Sequence, residues 1–399
     1  MLTRGVRFTM LPLSTFGPAM RQVTCWRLIL AGILALSVLD TVQSDELVLV
    51  RQGSEEKLQG EILEQAQDGS LLFRTLDARL WIIQADEIKS KIDSDDAVVP
   101  LTPKQLGQQL LKELPDGFKI HINGDFVIAY NTERAYAQWI GGLYQRLQRG
   151  FEKYWQRKKM KLVDPDHPLA VIIFGDKLQY ERYLTKELGD LPGVLVAYYN
   201  LLNNRVAMYD LTGGQRAPGA RPGDERRIAE VLSNPRAIPM VATVIHEGTH
   251  QLMFNMGMQT RFSDTPLWIN EGLAMYFETP DLSNPRGWRA IGQINPMRIG
   301  RFRQLIGTRD SKSLGTMLSS DTKFRDPNLA LDAYAEAWAF NYFLLNKYPE
   351  EYVNFLKHMS KKPRLKYDTP ETRLNEFLQF FEQDLPALDR EFVQYIQKQ

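Results

Sequence analysis

Apolar residues follow two different periods along the chain, and together they predict an α+β protein. In the first part, 45–100, short apolar runs alternate with polar turns, which predicts five short strands and a small SH3-like or Sm-like β-barrel. The strands are expected at 47–50, 58–63, 71–74, 80–83 and 88–92. We predict an accessory or binding module here, although a purely stabilising appendage would explain the same pattern.

Beyond this part the pattern alternates between strands and helices. Residues 101–116 are typical of a linker helix, and the apolar positions of 132–158 recur at helical spacing. Further elements are expected as strands at 169–174, 194–199 and 205–210, and as a helix at 177–188. A stretch rich in Gly, Pro and Arg, 212–224, predicts a surface loop, whereas 285–399 is mostly helical.

One strongly apolar helix carries two histidines. Its central segment reads His246-Glu247-Gly248-Thr249-His250 in an apolar frame, which predicts a buried helix. His246 and His250 are four positions apart and therefore project from the same face, one turn apart. Two imidazoles so placed can share a zinc ion, and Glu247 is placed to reach a water bound to that ion. Burying these side chains without a metal or other partners would be costly.

A second apolar helix offers a third ligand; it is expected to begin at Pro266, after a cap at Asp264 or Thr265, and to end at Pro280. The loop before it is long enough to lay this helix antiparallel to the first, so that Glu271 faces the two histidines. A His₂Glu set leaves one coordination position for water, as in catalytic zinc sites. Asn270 and Glu278 are expected to orient the ligands by hydrogen bonds.

Composition and charge exclude several other classes of chemistry. The formal net charge is +1, so nothing points to nucleic acid or an acidic membrane surface as a partner. Cys25 is the only cysteine and lies in a segment expected to be removed, which excludes disulfides, a cysteine nucleophile and a cysteine-ligated metal. Histidines and carboxylates remain as the strong zinc ligands.

The N-terminus is typical of a secretory signal peptide. Two arginines precede an apolar run at 28–39 that is shorter than the roughly 20 residues needed to span a bilayer. We predict a leader over 1–44 cleaved after Ser44, with translation starting at Met1 or Met20. The protein is then exported, periplasmic or extracellular, with no membrane span after cleavage; an uncleaved anchor is the alternative.

The two helical segments resemble the gluzincin metallopeptidases, whose motifs are HExxH and NEGxAxYxE. Here they read HEGTH at 246–250 and NEGLAMYFE at 270–278. They are also similar to a bacterial family catalogued as a domain of unknown function, with HExTHQ and WxxEGLAxYFE signatures. The resemblance implies a zincin-like catalytic subdomain over 117–284, followed by a helical C-terminal subdomain over 285–399.

The resemblance also implies roles for individual residues. Those matching zinc ligands are His246, His250 and Glu271, and Glu247 matches the general base. An edge strand that binds extended substrate is implied at Arg205, Val206, Ala207 and Met208. That strand lacks the acidic signature of aminopeptidases. Tyr334 is the best match to an oxyanion-stabilising residue, although a core tyrosine is equally compatible.

Together these observations predict an exported zinc-dependent peptidase with Zn²⁺ as cofactor, a peptide or protein as substrate and no nucleic-acid partner. Two alternatives stay open: a non-catalytic, peptidase-like protein that binds a peptide or an envelope component, and a zinc hydrolase acting on a non-peptide bond. Gly248 is unfavourable inside a helix, and a close approach of the edge strand or of substrate would explain it. The oligomeric state is left open.

Overall fold

In the computed structural model, the described residues are 43–399 apart from 52, 190–194, 213–224, 280–290 and 382–383. Within these ranges the strands are β1 Gln43–Arg51, β2 Ser54–Gln65, β3 Leu71–Thr75, β4 Leu80–Ile83, β5 Ile88–Ala97, β6 Lys119–Asn123, β7 Phe126–Tyr130, β8 Leu169–Phe174, β9 Ala197–Asn200 and β10 Arg205–Tyr209. The helices are α1 Pro103–Glu113, α2 Arg134–Arg157, α3 Lys177–Leu188, α4 Glu225–Leu232, α5 Ile238–Asn255, α6 Leu267–Phe277, α7 Pro296–Ile306, α8 Ser313–Ser319, α9 Thr322–Arg325, α10 Ala330–Lys347, α11 Pro349–Met359, α12 Pro370–Leu378 and α13 Leu385–Gln397. The mixed α+β class is confirmed. The predicted leader, except its last two residues, and most of the predicted surface loop lie outside the described residues.

The first five strands form one antiparallel sheet, the N-terminal sheet, in the order β4-β3-β2-β1-β5. The predicted closed barrel is wrong, because β4 and β5 are opposite edges and do not pair with each other in the described residues. The outer edge of β4 bonds elsewhere: the Leu80 N–H donates to the carbonyl of Leu202, beyond the sheet, at 2.7 Å. The sheet buries one apolar face of its own, formed by Leu47, Leu49, Leu58, Leu71, Phe73 and Ile83.

The second sheet has the order β6-β7-β8-β10-β9 and lies between two layers of helices. Helices α1 and α3 pack on one face, and α2 and α5 pack on the other. β10 runs parallel to β8, and β9 returns antiparallel along its other side. The implied edge strand at Arg205–Met208 is therefore a wrong prediction. β10 is an interior strand, and β9 forms the edge on this side of the sheet.

The helices after α5 build the remaining core. α6 packs between α5 and α10, and α10 is buried along most of its length. Trp268 of α6 is enclosed by aromatic rings from α10, α11 and α12, namely Phe340, Tyr352, Phe355 and Phe377. No helix among the described residues has the length and apolar character needed to cross a bilayer.

Candidate metal centre

The two motif histidines lie side by side on α5. His246 is fully buried and His250 is 6% exposed. Their ring centroids are 4.7 Å apart, and the two Nε2 atoms are 3.0 Å apart. A spacing of four residues on an α-helix accounts for this arrangement, since it places both rings on one face.

Glu271 of α6 completes a three-residue cluster with the histidines. Its Oε2 atom is 3.2 Å from His246 Nε2 and 3.6 Å from His250 Nε2. One nitrogen or oxygen from each of the three residues lies within 4.8 Å of the others. Across the part of the chain that the structure describes, these residues form the one group of three or more His, Cys, Asp or Glu side chains so placed, and they are close enough to hold a metal ion.

The remaining ring nitrogens are held by the two side chains expected to orient them. His246 Nδ1 lies 3.1 Å from Glu278 Oε2, and His250 Nδ1 lies 3.1 Å from the amide oxygen of Asn270. An amide oxygen only accepts hydrogen bonds, so His250 donates through Nδ1 and keeps a lone pair on Nε2. The same tautomer of His246 is favoured by the carboxylate. When both rings are neutral, both Nε2 lone pairs point into the cluster, as metal ligation requires.

Glu278 is itself fixed by two residues that sequence reasoning missed. Its Oε1 atom accepts from Asn295 Nδ2 at 2.8 Å and from Arg298 Nε at 3.1 Å. Both donors lie at the start of α7, and the sequence offers only a weak signal for them: an Asn-Pro pair that begins a helix. Burial raises the pKa of the Glu278 carboxyl, but Arg298 and His246 outweigh burial and lower that pKa below its usual value.

Glu247 lies next to the cluster and points to the sheet. Its Oε2 atom accepts a hydrogen bond from the backbone N–H of Tyr199, in β9, at 2.9 Å. Burial raises the pKa of the Glu247 carboxyl above its usual value, while His246 and His250 act in the opposite direction. The Tyr199 contact was not predicted, because it uses a backbone group and depends on the order of the strands.

The charge balance of this pocket suits a cation. Glu247, Glu271 and Glu278 bring three carboxyl groups together, whereas Arg298 is the one permanent cation among the described residues that pairs with any of them. Burial lowers the pKa of His246, but its hydrogen bonds to Glu271 and Glu278 outweigh burial and raise the pKa to about 10. Without a metal, a proton therefore stabilises the buried carboxylates, and a divalent ion could replace it.

Tyr334, on α10, lies close enough to Glu271 and Glu247 for their charges to act on its hydroxyl. It is 5% exposed, and its ring packs edge-on against Phe324 with centroids 5.4 Å apart. Burial, together with the nearby charges of Glu271 and Glu247, raises the pKa of its hydroxyl well above the usual value. The hydroxyl therefore stays protonated and can act as a hydrogen-bond donor near the cluster.

Two glycines explain how the helices approach closely enough. A Cβ atom on Gly272 would overlap the amide of Asn341, whose Nδ2 donates to the carbonyls of Trp268 and Ala337 at 2.8 Å each. The glycine in the Asn-Glu-Gly motif thus lets α6 lie against α10. A Cβ atom on Gly248 would come within 2.9 Å of the ring of Tyr144, in α2. A neighbouring helix therefore explains Gly248: the nearest described atoms belong to Tyr144 and Leu147 of α2 and not to an edge strand, while the approach of substrate stays a prediction.

Comparison with known proteins adds one match to this geometry. A family model described as "Protein of unknown function (DUF1570)" matches residues 240–366. The matched segment contains most of α5 and all of α6 and α10, and hence His246, His250, Glu271 and Tyr334. No curated protein matches the chain. The resemblance to a domain of unknown function is thus confirmed for this segment, and the match assigns it no activity.

Proposed function

We propose that the protein is a zinc-dependent peptidase of the gluzincin type, with a zincin-like catalytic fold. The observation that carries this proposal is the convergence of His246 Nε2, His250 Nε2 and the Glu271 carboxylate, with Glu247 beside them. Two neutral imidazoles and one carboxylate are a catalytic zinc donor set. The hydrogen bonds that fix the ring orientations fit the same interpretation.

Zinc held by these three residues would activate a water molecule and polarise a carbonyl oxygen. Glu247 is the residue that can take a proton from the attacking water and pass it to the leaving amine. Its raised pKa suits this exchange, since a base whose pKa lies nearer neutrality can both accept and return a proton. The protonated hydroxyl of Tyr334 would donate to the oxygen that becomes negative.

The side of β9 that faces away from β10 pairs with no strand among the described residues, and this free side supports an extended peptide as the substrate. Tyr199 directs its N–H at Glu247 and therefore away from β10. Backbone direction alternates along a strand, so Ala197 also turns its N–H and carbonyl away from β10. A substrate that pairs with this edge would lie alongside Glu247, which brings its backbone to the general base. With the predicted leader, such an enzyme would act outside the cytoplasm.

The decisive experiment combines metal analysis with a single substitution. Glu247→Gln keeps an amide oxygen that can accept from the Tyr199 N–H, so the fold and the metal content should be retained. Hydrolysis of a mixed protein substrate should fall by at least about 100-fold, since general base catalysis contributes roughly 10²–10⁴-fold. Glu350→Gln, on an exposed position of α11, is the matched control and should hydrolyse like the unchanged protein.

Each of the two alternative functions predicts a different result. A binding protein would hold zinc and show no hydrolysis before substitution. A hydrolase of another bond would hold zinc, leave proteins and peptides intact, and cleave a panel of ester or amide substrates in a Glu247-dependent way. Full peptidase activity in Glu247→Gln would show that the base is wrongly assigned.

A further inference from the structure

The turn between β9 and β10, residues 201–204, is held from three sides. From α3, Glu187 Oε2 accepts from the side-chain amides of Asn200 and Asn203 at 2.9 and 2.8 Å. From α5, Asn255 exchanges hydrogen bonds with the side chain of Asn204 at 2.8 Å in each direction. From the N-terminal sheet, Leu80 donates to the Leu202 carbonyl. A surface turn would not need so many contacts merely to reverse the chain.

Arg261 joins this turn directly to the N-terminal sheet. Its Nη1 donates to the Leu201 carbonyl at 3.2 Å, and its Nη2 donates to the Ala78 carbonyl at 2.9 Å. The side chain is buried, with 6% of the residue exposed, and among the described residues no carboxylate lies within ion-pair distance of it. Burial lowers the pKa of its guanidinium to about 10. A planar guanidinium with five N–H donors is suited to bridging two carbonyls in this way.

An apolar cluster surrounds this contact between the turn and the N-terminal sheet. Phe262, next to Arg261, packs with Leu72 and Leu80 of the N-terminal sheet, and Leu201 and Leu202 of the turn pack against them. Arg205, the first residue of β10, forms ion pairs with Asp77, between β3 and β4, at 3.5 Å and with Glu113 of α1 at 2.7 Å. The N-terminal sheet therefore contacts the turn through hydrogen bonds and apolar packing, and it contacts the start of β10 through charge.

The turn matters because of what lies two residues before it. Tyr199 precedes Leu201 by two positions, and its N–H holds the Glu247 carboxylate. Its hydroxyl also donates to Asn204 Oδ1, inside the turn, at 2.7 Å. A shift of the turn would displace β9, which contacts the candidate base and whose outer edge pairs with no strand in the described part of the chain.

We propose that Arg261 is a positioning residue, which ties the β9–β10 turn to the N-terminal sheet and so fixes the free edge of β9 beside Glu247. This inference rests on the proposed function, since it assigns that edge to substrate. The N-terminal sheet then belongs to the peptide-binding unit.

The test compares Arg261→Met and Arg261→Lys with Arg309→Met in the full-length, zinc-loaded protein. Arg309 is a partly buried arginine, with 5% of its side chain exposed, that bonds to Glu336 and Asp389, far along the chain from the turn. Hydrogen–deuterium exchange in peptides covering 197–204 should accelerate about tenfold in Arg261→Met, by less in Arg261→Lys, and not in Arg309→Met. The lysine variant keeps the buried cation. If the methionine variant does not fold, exchange in Arg261→Lys can still be compared with exchange in the unchanged protein and in Arg309→Met.

Steady-state kinetics with long and short peptides provide the second test. For a peptide long enough to pair with β9, KM should rise about tenfold in Arg261→Met, as expected when roughly 1.4 kcal/mol of binding is lost. For a two-residue substrate, kcat/KM should change less than about twofold, and zinc affinity should not change. Unchanged exchange in 197–204, or equal losses for short and long substrates, would overturn the proposal. A protein without any peptidase activity would instead refute the proposed function, while the exchange arm would still decide whether Arg261 holds the turn.

Discussion

The pocket has two walls of different origin. One wall, the helix wall, consists of α5 and α6, and its contacts join side chains of the two motifs: His246 to Glu278, His250 to Asn270 and Glu271 to both histidines. The other wall, the strand wall, is β9, which reaches Glu247 with a backbone N–H. The contacts of the helix wall depend on the type of each side chain, whereas the contact of the strand wall depends on the order of the strands.

This difference determines how each wall responds to substitution. On the helix wall, each side chain provides an atom that no other residue type replaces well, so single changes should abolish a specific contact. On the strand wall, any residue except proline provides the same N–H. Its geometry depends instead on distant groups such as Arg261, which fix the turn at the end of the strand. The helix wall should therefore be sensitive at its own residues, and the strand wall at residues elsewhere.

The largest expected effect is on the helix wall, at Glu271. Glu271→Ala removes the carboxylate that lies between the two histidines, so zinc affinity should fall by more than about 100-fold, beyond the loss typical of residues that only orient ligands. Chelator competition followed by metal analysis measures the change, and circular dichroism checks the fold. Glu350→Gln should bind zinc unchanged. Zinc affinity within twofold of the original in Glu271→Ala would remove this residue from the ligand set.

A smaller effect is expected on the strand wall, at Tyr199. Tyr199→Pro removes the N–H that donates to Glu247, and an edge strand tolerates proline where its N–H points away from the sheet. Losing a hydrogen bond to a charged group costs roughly 1.5–3 kcal/mol, so kcat should fall about 10–100-fold with zinc retained.

Tyr199→Leu tests the same wall with the N–H intact. It loses the hydroxyl contact to Asn204 and the ring stacked on Phe254, so its melting temperature should fall more than its kcat. If the leucine variant loses as much kcat as the proline variant at equal zinc content, the side chain and not the backbone of β9 serves the site.

The same distinction explains what could be predicted from the sequence. The helix wall was predictable because both motifs are local. Helical periodicity alone places His246 and His250 on one face of α5. The Asn-Glu-Gly segment lies on the next helix along the chain, α6, which one loop connects to α5. The mixed α+β class followed from the two hydrophobic periods. Asn295 and Arg298 could not be predicted, since their contact to Glu278 depends on how α7 returns to the pocket.

The wrong predictions, the edge strand and the barrel, both concern strand pairing that depends on segments distant in sequence. Apolar runs at 194–199 and 205–210 predict a hairpin, but they do not reveal which of its strands joins β8 and which remains the edge. The five strands of the N-terminal sheet were predicted from local patterning. Closure was not determined by that pattern, because the outer edge of β4 bonds to Leu202, more than 100 residues away in sequence.

The smallest expected effect distinguishes packing from chemistry on the helix wall itself, at Gly248. An alanine there gains about 1 kcal/mol of helix propensity but brings its Cβ within 2.9 Å of the Tyr144 ring, and overpacking costs roughly 1–3 kcal/mol. Because Tyr144 is fully buried and donates to the Val244 carbonyl at 2.9 Å, it has little room to move.

Gly248→Ala should therefore lower the free energy of unfolding by about 1 kcal/mol and leave zinc affinity and KM unchanged, as denaturant titration and kinetics would measure. Gly300→Ala is the matched control, since Gly300 lies inside α7 with no atom within 4 Å of an added Cβ, and this variant should be more stable by up to about 1 kcal/mol. If Gly248→Ala instead kept its stability and raised KM, substrate would approach that position, and the glycine would belong to the chemistry of the helix wall and not to its packing against α2.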